Sequence, residues 1–446
     1  MTSKERVAYL KSLRFWLIPG MGVKRHVLFA VLGALLLFAG AAGLLLWFLG
    51  GNREVVSEPI EQILVGDRWQ RSGHWLMATV SLFGLVLAIG SIGRLNRSLL
   101  SNWLPRPSEA AIVLHRKLSL SRGPRIVALG GGTGLSNLLR GLRNYSSNLS
   151  AVVTVTDDGG SSGRLRDAFD MPAPGDLSDC LAALSDREAE LARLLQYRFR
   201  RGGELEGHSF GNLLITTLKE VEGDLAEAVR VLNHLLSLVG NVYPSTSEVV
   251  RLNVVKEDGT FVRGESEARK APGAIRRVSI EPESPRASSE VVMDILATDL
   301  VVLGPGSLFT STIPPLLVPG IKRALLQTSA PLVYVCNIMT EAGETDGFDA
   351  IRHVEMIGSH LGRKPDWVII NSTPVDIERQ RAYRLEGAEV VSYDPAVFAG
   401  AGITLIELDL LGPGPHAQHD SEQLASWLAG FAKRHSSLRQ TAEVSS

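Results

Sequence analysis

Two long uncharged stretches dominate the N-terminal part of the chain. Residues 27–50 read VLFAVLGALLLFAGAAGLLLWFLG, and residues 75–93 read WLMATVSLFGLVLAIGSIG. At about 1.5 Å per residue, a helix over the first stretch exceeds the roughly 30 Å hydrocarbon core of a bilayer, and the second is near the lower limit. The pattern predicts a two-helix transmembrane hairpin over 27–93. The alternatives are a signal peptide for the first stretch and a buried core helix for the second.

Basic residues flank both outer ends of the hairpin. They are Lys4, Arg6, Lys11, Arg14, Lys24 and Arg25 before it, and Arg94, Arg97, Arg106, Arg116 and Lys117 after it. Because Lys and Arg near membrane helices stay on the cytoplasmic side, both termini are predicted to be cytoplasmic, at the inner membrane. Neither stretch contains an ionisable side chain that could carry transport, so we interpret the hairpin as an anchor.

From residue 125 onward, short β-branched runs alternate with helical stretches. The predicted strands are IVALGG, AVVTVTDD, DLVVLGPGS, LVYVCN, WVIIN, AEVVSYD and ITLIELD. Continuous apolar runs of this kind are typical of strands buried on both faces. The predicted fold class is therefore α/β, with a doubly wound, mostly parallel sheet covered by helices on both sides.

Two local patterns add elements to this sheet. Asp258 and Gly259 separate two strand-like runs within 249–262, which predicts an antiparallel hairpin. A C-terminal packing helix is predicted by the spacing of Leu424, Trp427, Leu428 and Phe431. The predicted segments are a cytoplasmic N-terminal segment (1–26), the hairpin (27–93), a juxtamembrane linker (94–123), a nucleotide-binding domain (124–435) and a disordered tail (436–446).

Composition narrows the function further. The 46 Lys and Arg residues balance 47 Asp and Glu residues, so no overall charge favours nucleic acid as a partner. The two cysteines, Cys180 and Cys336, lack the spacing of a disulfide framework or of a zinc site. Any binding of a charged ligand must therefore depend on local groups.

The first strand of the soluble domain leads into a turn suited to phosphate. Its residues are Gly130, Gly131, Gly132, Thr133 and Gly134. A helix begins there, so unpaired N–H groups and the positive end of a helix dipole are available to an anion. Leu135 and Asn137 stand where a third Rossmann glycine would fall, and a turn without a ligand is the alternative.

The second strand ends in a loop rich in polar and small residues. Asp157 and Asp158 fall at the carboxyl edge of the sheet, where acids accept ribose hydroxyls or hold a divalent cation. The loop continues with Gly160, Ser161, Ser162, Gly163 and Arg164, which offer close approach, hydroxyls and a guanidinium for phosphate oxygens. A solvated loop without a role is the alternative.

Further loops belong to the same edge by topology. Their candidate ligand-binding residues are Asp176, His208, Ser209, Asn212, Gly304, Gly306, Ser307 and Asn337. For Asp176 and Asn337, capping of a helix or turn is an equal alternative. The string GHSFGN matches the GxSxG nucleophile elbow, but no buried strand precedes it, which disfavours a serine hydrolase.

Six ordered motifs resemble the YvcK-like proteins, often called gluconeogenesis factors, within the CofD-like family. The motifs are GGGTGLSNLLRGL, TVTDDGGSSGRLR, PGDLSDCLAAL, GHSFGNLL, GPGSLFTSTIPPLLV and CNIMTEAGETDGF, and the resemblance covers about residues 124–412. It implies a Rossmann-like core, cytoplasmic placement and binding of UDP-sugars such as UDP-N-acetylglucosamine. It also implies a part in carbon flux, cell-wall synthesis and cell shape.

The enzymatic relatives are 2-phospho-L-lactate transferases, which move a phospholactyl group from a guanosine diphosphate-type donor onto a deazaflavin with magnesium. By resemblance, Asp157 and Asp158 fall near the metal and acceptor of those enzymes. This sequence departs from them in GGSSGRLR and GHSFGN, which follow the YvcK-like version. The hairpin departs from a commonly soluble group and suggests work at the inner membrane surface.

Three functions remain open at this point. The first is a membrane-anchored regulator that binds a UDP-sugar, with its pyrophosphate on the loops at 130–134 and 304–307. The second is a transferase of phosphorus-containing groups, in which Asp157 and Asp158 hold Mg and act in catalysis. The third is a dinucleotide-dependent oxidoreductase, which the missing glycine disfavours.

The expected partners follow from these hypotheses. They are a nucleotide sugar or another phosphorylated small molecule, the membrane, a second copy of the chain and a protein of envelope synthesis. Mg is the one cofactor that the sequence suggests, and nucleic acid is not expected.

Overall fold

The computed structural model describes residues 23–50, 67–100, 110–186 and 188–445. The chain forms two compact units, Met1–Arg116 and Lys117–Ser446. The predicted cytoplasmic segment up to residue 22 and the hairpin connection at 51–66 lie outside the described residues.

Two long helices, α1 (Val23–Gly50) and α2 (Asp67–Leu100), form the described part of the N-terminal unit together with the start of a third. Both contain a stretch that is long and apolar enough to cross a membrane, Lys24–Phe48 and Gly73–Ser98. The helix α2 continues past residue 93, where the sequence pattern ended the hairpin, because residues 94–100 contain neither Gly nor Pro to end it.

Glycines determine how closely α1 and α2 pack. A Cβ atom at Gly33 would lie 2.6 Å from the backbone nitrogen of Ala88, and one at Gly84 would lie 2.7 Å from the carbonyl oxygen of Gly33. Any larger residue at these positions would force the backbones apart. Small residues at such contacts are typical of helix pairs in membranes.

Large apolar side chains on the other faces of α1 and α2 are exposed. Phe38 is 78% exposed, Phe48 is 74% exposed and Phe83 is 61% exposed. A core helix of a soluble protein would bury such side chains. The helix pair is therefore compatible with membrane anchoring.

A seven-stranded sheet forms the centre of the C-terminal unit. Its strands are β1 (Ile126–Gly130), β2 (Leu149–Val153), β3 (Asn241–Pro244), β7 (Leu300–Leu303), β8 (Leu332–Val335), β9 (Trp367–Asn371) and β10 (Thr404–Leu408). The strand order is β10-β9-β8-β7-β1-β2-β3, and all neighbouring pairs are parallel.

A smaller sheet is inserted between β3 and β7. It consists of β4 (Arg251–Lys256), β5 (Phe261–Arg263) and β6 (Ile275–Glu281) in the order β5-β4-β6. The pairing of β4 with β5 is antiparallel around Asp258 and Gly259, which confirms the predicted hairpin. The sequence pattern missed β6, because its apolar residues do not alternate regularly and its pairing with β4 contains a register shift.

Helices cover both faces of the large sheet, and one exposed helix, α3 (Ala110–Ser121), precedes β1 along the chain. The bounds of the others are α4 (Gly132–Leu142), α5 (Gly160–Phe169), α6 (Gly175–Leu184), α7 (Glu188–Leu195), α8 (Phe210–Glu222), α9 (Leu225–Leu235), α10 (Glu265–Lys270), α11 (Ser289–Ala297), α12 (Ile313–Leu317), α13 (Pro319–Gln327), α14 (Ala350–Leu361), α15 (Ile377–Leu385), α16 (Pro395–Gly400) and α17 (Ser421–Ser445). A 3-10 turn at Gly203–Leu205 and a π-helical turn at Leu308–Thr312 complete the set.

The sheet separates two hydrophobic cores, because successive side chains of a strand point to opposite faces. Ile126 and Ala128 of β1 pack in one core with residues of α4, α6 and α17. Val127 and Leu129 pack in the other core with residues of α11, α12 and α14. This arrangement confirms the predicted doubly wound α/β fold.

The chain runs from β1 outward to β3 and then returns to β7 on the other side of β1. The strand order therefore reverses between β1 and β7. In open α/β sheets, ligands bind beyond the carboxyl ends of the strands at such a switch point. The turn after β1 and the GPGS turn after β7 lie side by side at this place.

The secondary structure differs from the prediction in three places. The run AEVVSYD is not a strand, because β9 is already paired on both sides, and Val390 forms only an isolated bridge with Met339. The short edge strand β3 was missed. The helix α17 continues past residue 435 to Ser445, through the segment predicted to be a disordered tail.

The glycine contacts make a prediction for the helix pair. Gly84→Leu should separate α1 from α2, because the added side chain meets the α1 backbone at Leu37. Gly90→Leu is the matched control in the same helix, since a Cβ atom there meets nothing within 4 Å. The measurement is oxidative cross-linking of Gly43→Cys with Met77→Cys in membranes, which Gly84→Leu should reduce several-fold. An equal loss with Gly90→Leu would contradict the prediction.

Candidate functional site

A cavity of about 490 Å³ opens at the switch point between β1 and β7. Residues of the β1 and β7 turns, of α6 and α10, of the segment after β8 and of the segment before α17 form its wall. The predicted site residues that line it are Gly131, Gly132, Thr133, Gly134, Asp157, Asp176, Gly306, Ser307 and Asn337. The structure thus brings together residues from five of the predicted loops.

The turn after β1 leaves backbone donors free at the start of α4. Gly131, which precedes the helix, is extended and has no side chain that could cap the first turn. A Cβ atom at Gly134 would overlap the carbonyl oxygen of Pro305, so the close contact with the β7 turn requires glycine there. The first N–H groups of a helix have no partner within it; that of Gly132 bonds to Asp176, and those that follow it are available to an anion.

The β7 turn is fixed to the rest of the site by side chains and backbone. Gly304 donates its N–H to the Leu129 carbonyl at 2.9 Å. Ser307 donates its hydroxyl to Glu341 Oε2 at 2.6 Å, and Asn337 Nδ2 donates to Glu341 Oε1 at 3.1 Å. Asn337 is therefore not the cap that was its alternative interpretation.

A second cavity, also of about 490 Å³, adjoins the first. The two share three residues of their walls, Asp157, Asp176 and Asp179. The other predicted site residues that line the second cavity are Gly160, Ser161, Ser162, Ser209 and Asn212. The predicted loops therefore serve two adjoining spaces rather than one.

A hydrogen-bond chain holds the wall of the second cavity. Ser161 Oγ lies 2.9 Å from His208 Nδ1, and Asn212 Nδ2 donates to Ser161 Oγ at 3.1 Å. Burial, and then the charge of Arg164, lower the pKa of His208, which favours the neutral form of the ring. Ser209 caps α8, since its Oγ accepts from Asn212 N.

Six predicted residues line neither cavity. Asp158 instead accepts from Ser266 N at 2.7 Å and so caps α10, which counts against the prediction that it holds Mg or acts in catalysis. Arg164 donates to the Glu206 carbonyl at 3.0 Å. Gly130, Gly163 and Gly304 pack closely against neighbouring residues. His208 is hydrogen-bonded to Ser161 but does not itself line the cavity.

Asp176 is a carboxyl group of the site rather than a helix cap. The residue before α6 is Pro174, whereas Asp176 lies against Gly131 and accepts the backbone N–H of Gly132. Burial, followed by repulsion from Asp157, raises its pKa to about 7. Asp176 therefore carries a proton over much of the neutral pH range.

The helix α10, within the inserted element, and the loop after β8 contribute acids that the sequence analysis missed. Burial raises the pKa of Glu265 on α10 to about 9, and burial with repulsion from Glu341 raises the pKa of Glu344 to about 7. Arg269 bridges them, with nitrogens 3.0 Å from Glu265 Oε1 and 3.3 Å from Glu344 Oε1. Among the described residues that line the first cavity, Arg269 is the one Lys or Arg.

Lys256 joins two walls of the first cavity from behind. Its side chain is only 1% exposed, and Nζ donates to the carbonyls of Ala268, Ala271 and Gly273 at 2.9 Å and also to that of Gly343. These carbonyls belong to the end of α10 and to the loop after β8. The ammonium group thus ties Arg269 to the segment that carries Glu341 and Glu344.

The carboxylates of Asp157 and Asp158 decide whether magnesium fits this site. Within the described ranges, no group of three or more His, Cys, Asp or Glu residues is arranged to hold a metal ion. Magnesium is usually held by one or two carboxylates together with phosphates of a substrate. Asp157, which lines both cavities, fits such a shared site, whereas the carboxylate of Asp158 is engaged at α10.

The sequence matches a known family model over most of its C-terminal unit, Lys117–Ser446. The model for the 2-phospho-L-lactate transferase CofD matches residues 126–411. A putative gluconeogenesis factor of Deinococcus radiodurans is 45% identical over 424 residues, which cover 93% of this chain and 88% of that protein. The gluconeogenesis factor of Bacillus subtilis is 39% identical over 316 residues, which cover 70% of this chain and all 100% of that protein.

A solved structure shares the fold of the C-terminal unit. The crystal structure of a Bacillus halodurans protein has a TM-score of 0.67 and 39% sequence identity, and it covers 69% of this chain and 99% of that chain. The Deinococcus alignment covers 93% of this chain, so it must extend into the N-terminal unit, Met1–Arg116. The N-terminal unit is therefore not a departure peculiar to this chain.

The raised pKa of Asp176 predicts how stability depends on pH. The folded protein keeps this proton up to about pH 7, whereas an unfolded Asp loses it near pH 3.8, so the free energy of unfolding should fall as pH rises between these values. Asp176→Asn should stabilise the protein at pH 8 by roughly 2 kcal/mol and flatten the dependence. Denaturant unfolding of the full chain from pH 5 to 8 measures both, and an unchanged slope would contradict the assignment.

The buried ammonium predicts a large effect of one lysine. Lys256→Met should lower the free energy of unfolding by roughly 3 kcal/mol or more, because it leaves several buried carbonyls without a donor. Lys270→Met is the control, since Lys270 is 71% exposed and pairs only with Glu267, and it should cost less than about 0.5 kcal/mol. Chemical unfolding measures the midpoint of each variant. If Lys256→Met unfolds at the same denaturant concentration as the unmodified protein, the carbonyl contacts do not stabilise the fold.

Proposed function

Because the chain belongs to the CofD family, and within it to the gluconeogenesis factors, we propose that its soluble unit binds a UDP-sugar and acts as a membrane-anchored regulator of central carbon metabolism, cell-wall synthesis and cell shape. The observation that carries this proposal is the pair of glycine turns that meet at the switch point. Their backbone donors and the adjoining cavity fit a ligand with a diphosphate group.

The diphosphate would lie between the start of α4 and the β7 turn. Gly132 and Thr133 lie in the first turn of α4, and Gly306 and Ser307 face the same cavity. Glycine at these places lets the backbone approach phosphate oxygens closely. Arg269 adds a positive charge to the same wall.

Other parts of the wall suit the nucleoside. Ile338 and Met339 are apolar side chains after β8, and Tyr383 lies beside them. His419 stays neutral, since burial lowers its pKa to about 4, and its Nε2 bonds to the Cys336 carbonyl. A mostly apolar wall with a few fixed polar groups is usual for a base and its sugar.

Protonation reduces the repulsion between the acids and a diphosphate. Glu265, with a pKa of about 9, is neutral at pH 7, and Asp176 is about half protonated. Without these protons, the cavity would carry several negative charges beside a single guanidinium. Affinity for the ligand should therefore weaken as pH rises above 7.

The N-terminal unit would hold this domain at the membrane. The apolar helices α1 and α2 support anchoring, and the basic residues at both ends of the pair support cytoplasmic termini. In this arrangement, the occupied site would report the level of a cell-wall precursor to a protein of envelope synthesis.

Calorimetry on the full-length protein in detergent micelles tests the proposal. UDP-glucose and UDP-N-acetylglucosamine should each bind saturably, and Thr133→Val should weaken binding roughly fivefold because one hydroxyl to a phosphate is lost. Thr217→Val is the matched control, since that hydroxyl bonds within its own helix to the Leu213 carbonyl. Absence of heat with both nucleotide sugars would refute the proposal.

A transferase of phosphorus-containing groups is the second candidate function. The observation that favours it is the position of Asp157 and Asp176 where the two cavities meet, with the pKa of Asp176 raised to about 7. A bound magnesium ion would neutralise phosphate charge there, and Asp157 is the carboxylate placed to hold it. Asp176 could then give or take a proton near neutral pH.

Product analysis separates the transferase from the regulator. Incubation of a nucleoside diphosphate-linked donor with magnesium and acceptors should release a nucleoside monophosphate, and Asp157→Asn should lower the rate at least about 100-fold. Asp158→Asn serves as the comparison, because that side chain caps α10 and should affect stability more than rate. No release, or release indifferent to Asp157→Asn, would exclude this function.

A further inference from the structure

We propose that the second cavity is the subsite for a polyhydroxylated, uncharged group, which in a bound nucleotide sugar is the glycosyl part. This proposal rests on the proposed function and adds the place and the residues that would recognise the sugar. The wall of the second cavity is more polar than apolar and presents hydroxyl, amide and carboxylate groups, among them those of Ser161, Asn212 and Asp157.

Three helices begin at this cavity and point their N-terminal ends into it. They are α5, α6 and α8, which contribute Gly160, Gly175 and Asn212 to the wall. No side chain caps α5 or α6. Their first N–H groups are therefore donors for oxygen atoms of a ligand.

A buried hydroxyl without a partner points independently to a ligand. Ser178 on α6 lines the cavity, is 4% exposed and has no hydrogen-bond partner in the described part of the chain. Its hydroxyl reaches the cavity and has no bond within the described residues, so it is available to bond to a group bound there. The Asn212 amide nitrogen is committed to Ser161 and Ser162, which leaves its carbonyl oxygen as an acceptor.

The acids of the wall decide the charge of the occupant. Asp157, Asp176 and Asp179 line the cavity, and Arg198 is its one Lys or Arg among the described lining residues. A second phosphate or carboxylate would be repelled by this surface. A hydroxyl group is both donor and acceptor, so a polyol can bond to the carboxylates and to the helix N–H groups at once.

The lining also excludes a flat aromatic acceptor. Leu195 is the one large apolar side chain among the described residues of the wall, and no aromatic ring lies there. A planar ring system of the deazaflavin type needs apolar or aromatic faces on which to stack. This cavity offers hydroxyl, amide and carboxylate groups instead.

The second cavity is continuous with the proposed diphosphate site. It shares Asp157, Asp176 and Asp179 with the cavity that contains the glycine turns. A diphosphate on the first turn of α4 would therefore place its attached sugar against these three residues. One molecule could occupy both spaces.

The test compares UDP-glucose with UDP by calorimetry on the full-length protein. UDP-glucose should bind more tightly than UDP. Ser178→Ala should weaken the binding of UDP-glucose about fivefold and leave that of UDP unchanged, because the lost hydroxyl has no partner among the described residues. Arg198→Ala should act in the same direction, and Ser359→Ala is the matched control, since Ser359 bonds within its own helix.

The outcomes separate this inference from the proposed function. If UDP-glucose binds but Ser178→Ala and Arg198→Ala leave its affinity unchanged, or weaken UDP as much, the sugar subsite is wrong and the binding function stands. If lumiflavin, a flat ring without a polyol chain, competes with UDP-glucose without displacing UDP, the subsite is also wrong. If neither UDP nor UDP-glucose binds, both proposals fail.

Discussion

The contact between the turns after β1 and β7 is the constraint on which the site depends. Gly134 lies so close to the Pro305 carbonyl that no side chain fits, and Gly304 bonds to Leu129 across the two strands. This contact exists because the strand order reverses between β1 and β7, which leaves a crevice with free backbone donors on one side. The direction in which the sheet is wound therefore creates this crevice before any side chain contributes.

The second feature of the site is an excess of acids that the fold must tolerate. Carboxyl groups come from the loop after β2, from α6, from α10 and from the loop after β8, and Arg269 and Lys256 are the cations that hold these elements together. Burial keeps protons on several acids near neutral pH. A protonated carboxyl group can donate as well as accept a hydrogen bond, whereas a carboxylate only accepts and repels an anion, so the chemistry of this wall changes with pH.

Much of the candidate site could be predicted from the sequence, because residues that follow consecutive parallel strands meet at one edge of a sheet. This rule placed the turn at 130–134, Asp157, Asp176 and the turn at 304–307 together, and the structure agrees. It could not find Glu265, Arg269 or Lys256, since they belong to an inserted antiparallel element whose docking follows no rule of strand order. It also could not show that Asp157 faces the cavities whereas Asp158 does not. Asp158 accepts a hydrogen bond from Ser266 N, and Ser266 is remote from it in sequence.

The sequence by itself determined the two apolar helices, the parallel sheet and the location of the glycine turns. Each of these depends on local composition: length of an apolar run, β-branched periodicity and the freedom of glycine. Tertiary structure alone decided that the loops form two adjoining cavities, that AEVVSYD remains outside the sheet and which acids carry protons. Those outcomes depend on burial and on partners distant along the chain, and no local pattern of residues specifies them.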